Sequence, residues 1–208
     1  MSPKRQIPLY SPFPEPFKTQ QMHPHILKIL PAFILSFLFI ACASEQNTQR
    51  NFLANYSDYC GYAYKGQTNF VDLASGDLFE NAELTVIFRD CDHESVRMPF
   101  HVDEDTSRTW IVQMTPQGLH LSHDHRYEDG SQHEDNFYGG YADGEGNVML
   151  QYFPSDWRTI RDRPARQANR WAKEFDLAEM KYYYRLYLND ELRLEAEFDL
   201  SDPREIDW

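Results

Sequence analysis

Residues 191–200 read ELRLEAEFDL, and this stretch decides the fold. Leu192, Leu194, Ala196, Phe198 and Leu200 share one parity, while Glu191, Arg193, Glu195, Glu197 and Asp199 share the other. A helix would scatter the two sets around its circumference. A strand turns successive side chains to opposite faces and so sorts them. The segment reads as a half-buried β-strand.

The same rhythm recurs outward from it. Leu84, Val86 and Phe88 alternate with more polar neighbours, as do Val96, Met98, Phe100 and Val102, then Trp110, Val112 and Met114. Further runs are Val148, Leu150 and Tyr152, then Trp171 and Phe175, and then Tyr182, Tyr184, Leu186 and Leu188. Turn formers fall between them at Pro116-Gln117-Gly118, Glu128-Asp129-Gly130, Asp143 to Gly146, and Asn189-Asp190. Eight to ten neighbouring strands with one wet face must hide the other. The expectation is an all-β antiparallel meander closing into a calycin-like barrel over residues 60–208, with a β-sandwich as the alternative. One segment breaks the rhythm: Ser155 or Asp156 is placed to cap a short helix near 155–163, ending before Pro164 and covering one end of the barrel.

The N-terminal region has a different composition. Lys28 precedes an apolar run from Ile29 to Ala41, followed by Cys42. At 1.5 Å per residue that run makes roughly 20 Å of helix, short of a roughly 30 Å hydrocarbon core. A charged start, an apolar middle and small residues at the end follow the plan of a secretory signal. Phe39-Ile40-Ala41-Cys42 resembles the lipobox of bacterial lipoproteins, with Phe39 where that family usually has Leu. The resemblance implies cleavage before Cys42, a diacylglyceryl thioether on its sulfur and acylation of the new amino group. Ala43 and Ser44, with no Asp after the cysteine, imply by the same resemblance the outer membrane, facing the periplasm. An ordinary cleaved signal, giving a secreted protein, and an uncleaved anchor remain open. Residues 1–21 are Pro-rich and Met22 begins a better-proportioned signal. Residues 42–59 read as lipidated cysteine plus polar tether.

Export bears on the remaining cysteines. Cys60 and Cys91 form one possible pair in an oxidising compartment, and two unpaired buried thiols are the other reading. Charge bears on partners. The chain has 20 basic and 33 acidic residues, and residues 1–41 hold Lys4, Arg5, Lys18 and Lys28 against Glu15 alone. The rest thus carries 16 basic and 32 acidic residues, a net of −16. So acidic a surface repels phosphate backbones, and nucleic acid is not an expected partner.

The chemistry-bearing residues concentrate in GLHLSHDHRYEDG, residues 118–130. If 119–127 is a strand, Leu119 and Leu121 choose the inner face and carry His123, His125 and Tyr127 with them. Two imidazoles at i and i+2 lie about 6–7 Å apart along a strand, within reach of one zinc, copper or iron ion. A third ligand could come from Glu128, His133, Glu134 or His101, which would allow a metal-dependent enzyme. GLHLSHDHRYE resembles the first motif of the cupin barrels, but Gly118 and Glu128 stand too close to the histidines, and no histidine follows His133. The competing reading is a polar cluster satisfied by Asp, Glu or Tyr partners, with no metal. A third is a ligand pocket lined by His123, His125 and aromatic rings. Ser122, His120 and Asp124 share the outer face, where parallel side chains are not expected to meet as a catalytic triad. Arg158, Arg161, Arg163, Arg166 and Arg170 offer either anion contacts, with Arg158 and Arg161 foremost, or ion pairs with Asp156, Asp162 and an acidic rim.

The run 100–131, together with FYGGYADG at 137–144 and EFDLS at 197–201, resembles a group of uncharacterised exported bacterial proteins and implies a small secreted domain. The functional expectation is a non-enzymatic, membrane-anchored envelope lipoprotein with a binding or structural role, without cofactor. The alternatives are a carrier of a small apolar or anionic ligand, and the metal-dependent enzyme using His123 and His125.

Overall fold

The computed structural model describes residues 44–72 and 78–206; the signal-like segment and Cys42 lie outside them. Ten antiparallel strands run up and down in chain order: β1 (Tyr62–Val71), β2 (Leu84–Ile87), β3 (Ser95–Val102), β4 (Asp105–Thr115), β5 (Gly118–His125), β6 (Tyr138–Tyr141), β7 (Leu150–Pro154), β8 (Asn169–Asp176), β9 (Lys181–Leu188) and β10 (Glu191–Asp199). A two-residue β11 (Arg204–Glu205) pairs with the start of β1. Sheet order is β6-β5-β4-β3-β2-β1-β10-β9-β8-β7, so β1 pairs with β10 and the one seam lies between β6 and β7.

That seam is nearly shut. Asp143 N donates to Tyr152 O at 3.0 Å, and Asp156 N donates to Gly139 O at 3.1 Å. Gly140 makes this approach possible, since a Cβ there would overlap the carbonyl oxygen of Pro154 in β7, while Gly139 packs as tightly on Leu121 of β5. The fold is a nearly closed barrel, and the sandwich alternative is not realised.

The alternation read from the sequence is visible in burial. In β3 every second residue is buried, at Val96, Met98, Phe100 and Val102, and in β10 Leu194, Ala196 and Phe198 are buried. Leu192 is less buried because a register shift falls between it and Leu194. Asn189 and Asp190 both take positive φ, at 50° and 63°, and join β9 to β10 in the two-residue turn that suits strand twist. Helix α2 (Trp157–Asp162) begins where expected: Asp156 is its N-cap and its carboxylate accepts from Thr159 N at 2.7 Å.

The tether reading of 42–59 does not hold for its described part. Residues 44–54 form helix α1, and Asn55–Tyr59 continue it as a 3-10 turn. Phe52, Leu53 and Tyr56 are buried in the barrel core. Tyr56 packs edge-on against Phe88, Phe175 and Tyr182, and its hydroxyl lies 2.9 Å from that of Tyr182. Gln49 Oε1 accepts from Leu119 N at 2.9 Å, at the β4–β5 turn, and Asn55 Nδ2 donates to Val148 O at 2.7 Å. The contacts lie at strand ends on one side, so α1 stops one end of the barrel.

Cys60 and Cys91 are disulfide-bonded, with Cα atoms 6.2 Å apart and 31 residues between them in sequence. The bond ties the start of β1 to the β2–β3 loop. A loop of that length stabilises by roughly 3–4 kcal/mol through the entropy it removes from the unfolded chain.

Candidate functional site

The candidate site lies at the end opposite α1. There a cavity of about 300 Å3 is walled by Phe100, Trp110, Trp171, Tyr138, Tyr184 and Leu186, with Arg108, Arg166, His123 and His125 around it. Leu78 and Phe79, from the β1–β2 connection, also reach it. Its rings are held by one another. Trp110 stacks on Phe100 at 4.2 Å and on Tyr184 at 4.3 Å, while His123 stacks on Tyr138 at 4.5 Å.

His123 and His125 both line this cavity, as the strand parity required, but they differ in what they offer. His123 is 6% exposed. Its Nδ1 is 3.1 Å from Tyr138 O, which can only accept, so Nδ1 carries the proton. Its Nε2 then accepts from the Tyr184 hydroxyl at 3.0 Å. Both nitrogens are taken. Burial pushes its pKa well below the ordinary 6.5. His123 is a neutral wall residue fixed in one tautomer. His125 stacks on His133 at 4.4 Å, and burial, then Arg108 and His133, lower its pKa. Among the described residues no group of three or more His, Cys, Asp or Glu side chains is arranged to hold a metal ion.

The other candidates divide. Tyr127 is exposed, rests against His133 at 4.7 Å and lies outside the cavity wall. Arg161 is also outside: it makes two bonds to Asp162, at 2.6 and 2.9 Å, and its guanidinium covers Trp157 at 4.8 Å. Arg158 is exposed and borders a shallow polar depression with Gln132, His133 and Arg163. The arginines at the cavity are Arg108 and Arg166. Arg108 bonds Asp105 at 2.5 Å. Arg166 pairs with Asp135 and lies over the Tyr138 ring at 3.9 Å. Burial works to raise the Asp135 pKa, but Arg166 and Arg163 outweigh it and hold the carboxyl below its ordinary range.

Ser122 and His120 do meet, against expectation. Ser122 Oγ is 3.2 Å from His120 Nδ1, and His120 Nε2 is 3.0 Å from Asp156 Oδ2. The i,i+2 pair leans together because the third member comes from the N-cap of α2 and not from Asp124. Asp124 is buried against Arg97 and Arg126. Neither Ser122 nor His120 lines the cavity. The relay fastens α2 to the outer face of β5, helped by Thr159 Oγ1, which donates to Gly139 O and accepts from Gly139 N, both at 2.8 Å.

Sequence reading overlooked Lys173. It is 0% exposed, and its ammonium nitrogen has no hydrogen-bond partner. Nζ sits 3.1 Å from the Trp110 ring centroid, 4.3 Å from that of Tyr184 and 5.6 Å from that of Tyr182. The signal was present, because Lys173 has the parity of Trp171 and Phe175 in β8. Comparison with known protein families, curated proteins and solved structures returns no match.

Proposed function

We propose that this chain is a lipid-anchored binding protein of the bacterial envelope whose barrel takes up a small, mainly apolar ligand bearing an anionic or acceptor group. The cavity carries this reading. About 300 Å3 is the lower end of small-molecule sites, which are typically aromatic-lined with a few fixed polar groups. Trp110, Trp171, Tyr138 and Tyr184 supply flat faces. Arg108 and Arg166 supply donors beyond those their aspartate partners use, since a guanidinium has five N–H groups. Nothing in this set supplies a nucleophile with an activating base, so uptake without chemistry is the simplest use.

The probe is 2-naphthoate, titrated into the full chain in detergent while tryptophan emission is followed. Saturable quenching is expected, and Arg166→Ala should weaken binding about tenfold, which is about 1.4 kcal/mol and close to the lower end of the range for one charge-assisted hydrogen bond. Leu186→Trp, which fills the cavity, should abolish it. Quenching that never saturates, or that Leu186→Trp leaves unchanged, removes the binding role.

The anchor rests on the lipobox-like FIAC at 39–42. A mature chain made in bacteria fed an alkyne-tagged fatty acid is expected to begin at Cys42 and carry the tag there. Cys42→Ser should carry none. An N-terminus downstream of Cys42 would make the protein secreted instead.

A further inference from the structure

Lys173 sits one aromatic layer from the cavity, because Trp110 and Tyr184 both touch its amine and both wall the cavity. A solvated lysine is a protonated, unreactive cation at neutral pH. An amine is made nucleophilic when an apolar enclosure removes water and leaves no counter-charge. Both conditions hold here: Lys173 is fully buried, and no carboxylate pairs with it among the described residues. Its N–H groups face ring π-clouds, which bind weakly, so the nitrogen lone pair is not engaged by any donor. A residue of this kind also weakens the fold, since an apolar side chain of similar length would fill the same space without an orphaned polar group. Retention of such a conflict is expected at sites that do something.

Building on the ligand-binding reading, we propose that Lys173 captures a carbonyl ligand from the cavity as an imine. The chemical class is a flat apolar aldehyde small enough for the space between Trp110, Trp171 and Tyr138. The amine nitrogen adds to the carbonyl carbon, forming the C–N bond, and the carbonyl oxygen takes a proton to give a carbinolamine. The hydroxyl then leaves, and the two hydrogens originally on nitrogen end in one released water. No electron donor or acceptor is needed, and the enclosure that frees the lone pair also shields the imine from hydrolysis. Trp110 and Tyr184 must part for the carbonyl to reach the nitrogen, which restricts capture to ligands already bound in the cavity.

The test uses trans-cinnamaldehyde with cyanoborohydride at neutral pH on the full chain in detergent, followed by peptide mapping. Lys65 and Lys181 are the internal comparison, each paired with glutamate near the surface. Lys173 should be labelled at least about tenfold more than either, because one unit of pKa is a tenfold change in neutral fraction. Cinnamyl alcohol, which has no carbonyl, is titrated in parallel by tryptophan quenching. Lys173→Met should lose the label and still bind the alcohol. Alcohol binding with no label on Lys173 overturns the imine and leaves the cavity reading standing. Label spread evenly over Lys65, Lys181 and Lys173 also overturns it. The wild-type map decides this even if the variant does not fold.

Discussion

Phe52→Ala is expected to destabilise the domain by about 3–5 kcal/mol, the usual cost of deleting a buried phenylalanine ring. Phe52 is 0% exposed and meets Tyr56 and Phe175 edge-on, at 5.7 and 5.8 Å. The described part of helix α1, residues 44–54, is too short to hold together in water without tertiary contacts. Losing the ring therefore loosens the helix as well as leaving a hole, and neighbouring rings are themselves pinned and cannot collapse into it. The measurement is urea unfolding of the full chain in detergent. The midpoint should fall sharply, while the exposed neighbour substitution Asn51→Ala should stay within about 0.5 kcal/mol of wild type. A loss below about 1 kcal/mol at Phe52 would mean that α1 does not close the barrel.

Lys173→Met is expected to act in the opposite direction, stabilising by about 1–4 kcal/mol at neutral pH, as replacements of buried charge by apolar volume often do. The gain should depend on pH with a definite sign. Burial pushes the folded-state pKa of Lys173 well below the ordinary 10.5. Between those two values the unfolded chain binds a proton that the folded chain refuses. Wild-type stability is then lost as pH falls below 10.5, at up to about 1.4 kcal/mol per pH unit. The Met variant lacks this slope, so its advantage should widen from pH 9.5 to pH 7. The buried tyrosines, whose pKa values are raised by desolvation, act only above their ordinary 10.0 and cancel in the comparison. His123 adds a separate loss below about 6.5, outside this pH range. A constant difference across the range would show that Lys173 is not held neutral.

Much of the barrel was legible because its inner face is made of large apolar residues at period two. β3 and β10 needed nothing else, and α2 was given by Asp156 and Pro164. β1 was harder to see. Its inward positions after Tyr64 are Gly66 and Thr68, small because the Phe198 ring packs over Gly66, so no alternation of large side chains marks the strand. α1 was hidden for a related reason. Its apolar residues, Phe52, Leu53 and Tyr56, crowd into the last turn, while the buried face nearer its start uses Gln49, a polar residue satisfied by Leu119 N. The cavity was half legible. Parity placed His123 and His125 at its wall. It could not show that Tyr138 and Tyr184 occupy both His123 nitrogens, or that Arg108 and Arg166, instead of Arg158 and Arg161, reach the opening. Lys173 had the right parity and was passed over because charge in a strand ordinarily means solvent.

The short sequence distance from Cys42 to α1 sets how the domain would sit if Cys42 is acylated. Helix is present from residue 44, so a single residue, Ala43, lies between Cys42 and the described fold, a span of at most about 7 Å. The stoppered end would rest on the bilayer surface with little freedom to swing. Strands of 8 to 11 residues at the usual tilt would then hold the opposite rim roughly 20–30 Å above the headgroups. On the proposed binding role, the cavity would then face away from the bilayer and its ligand would arrive from the aqueous side.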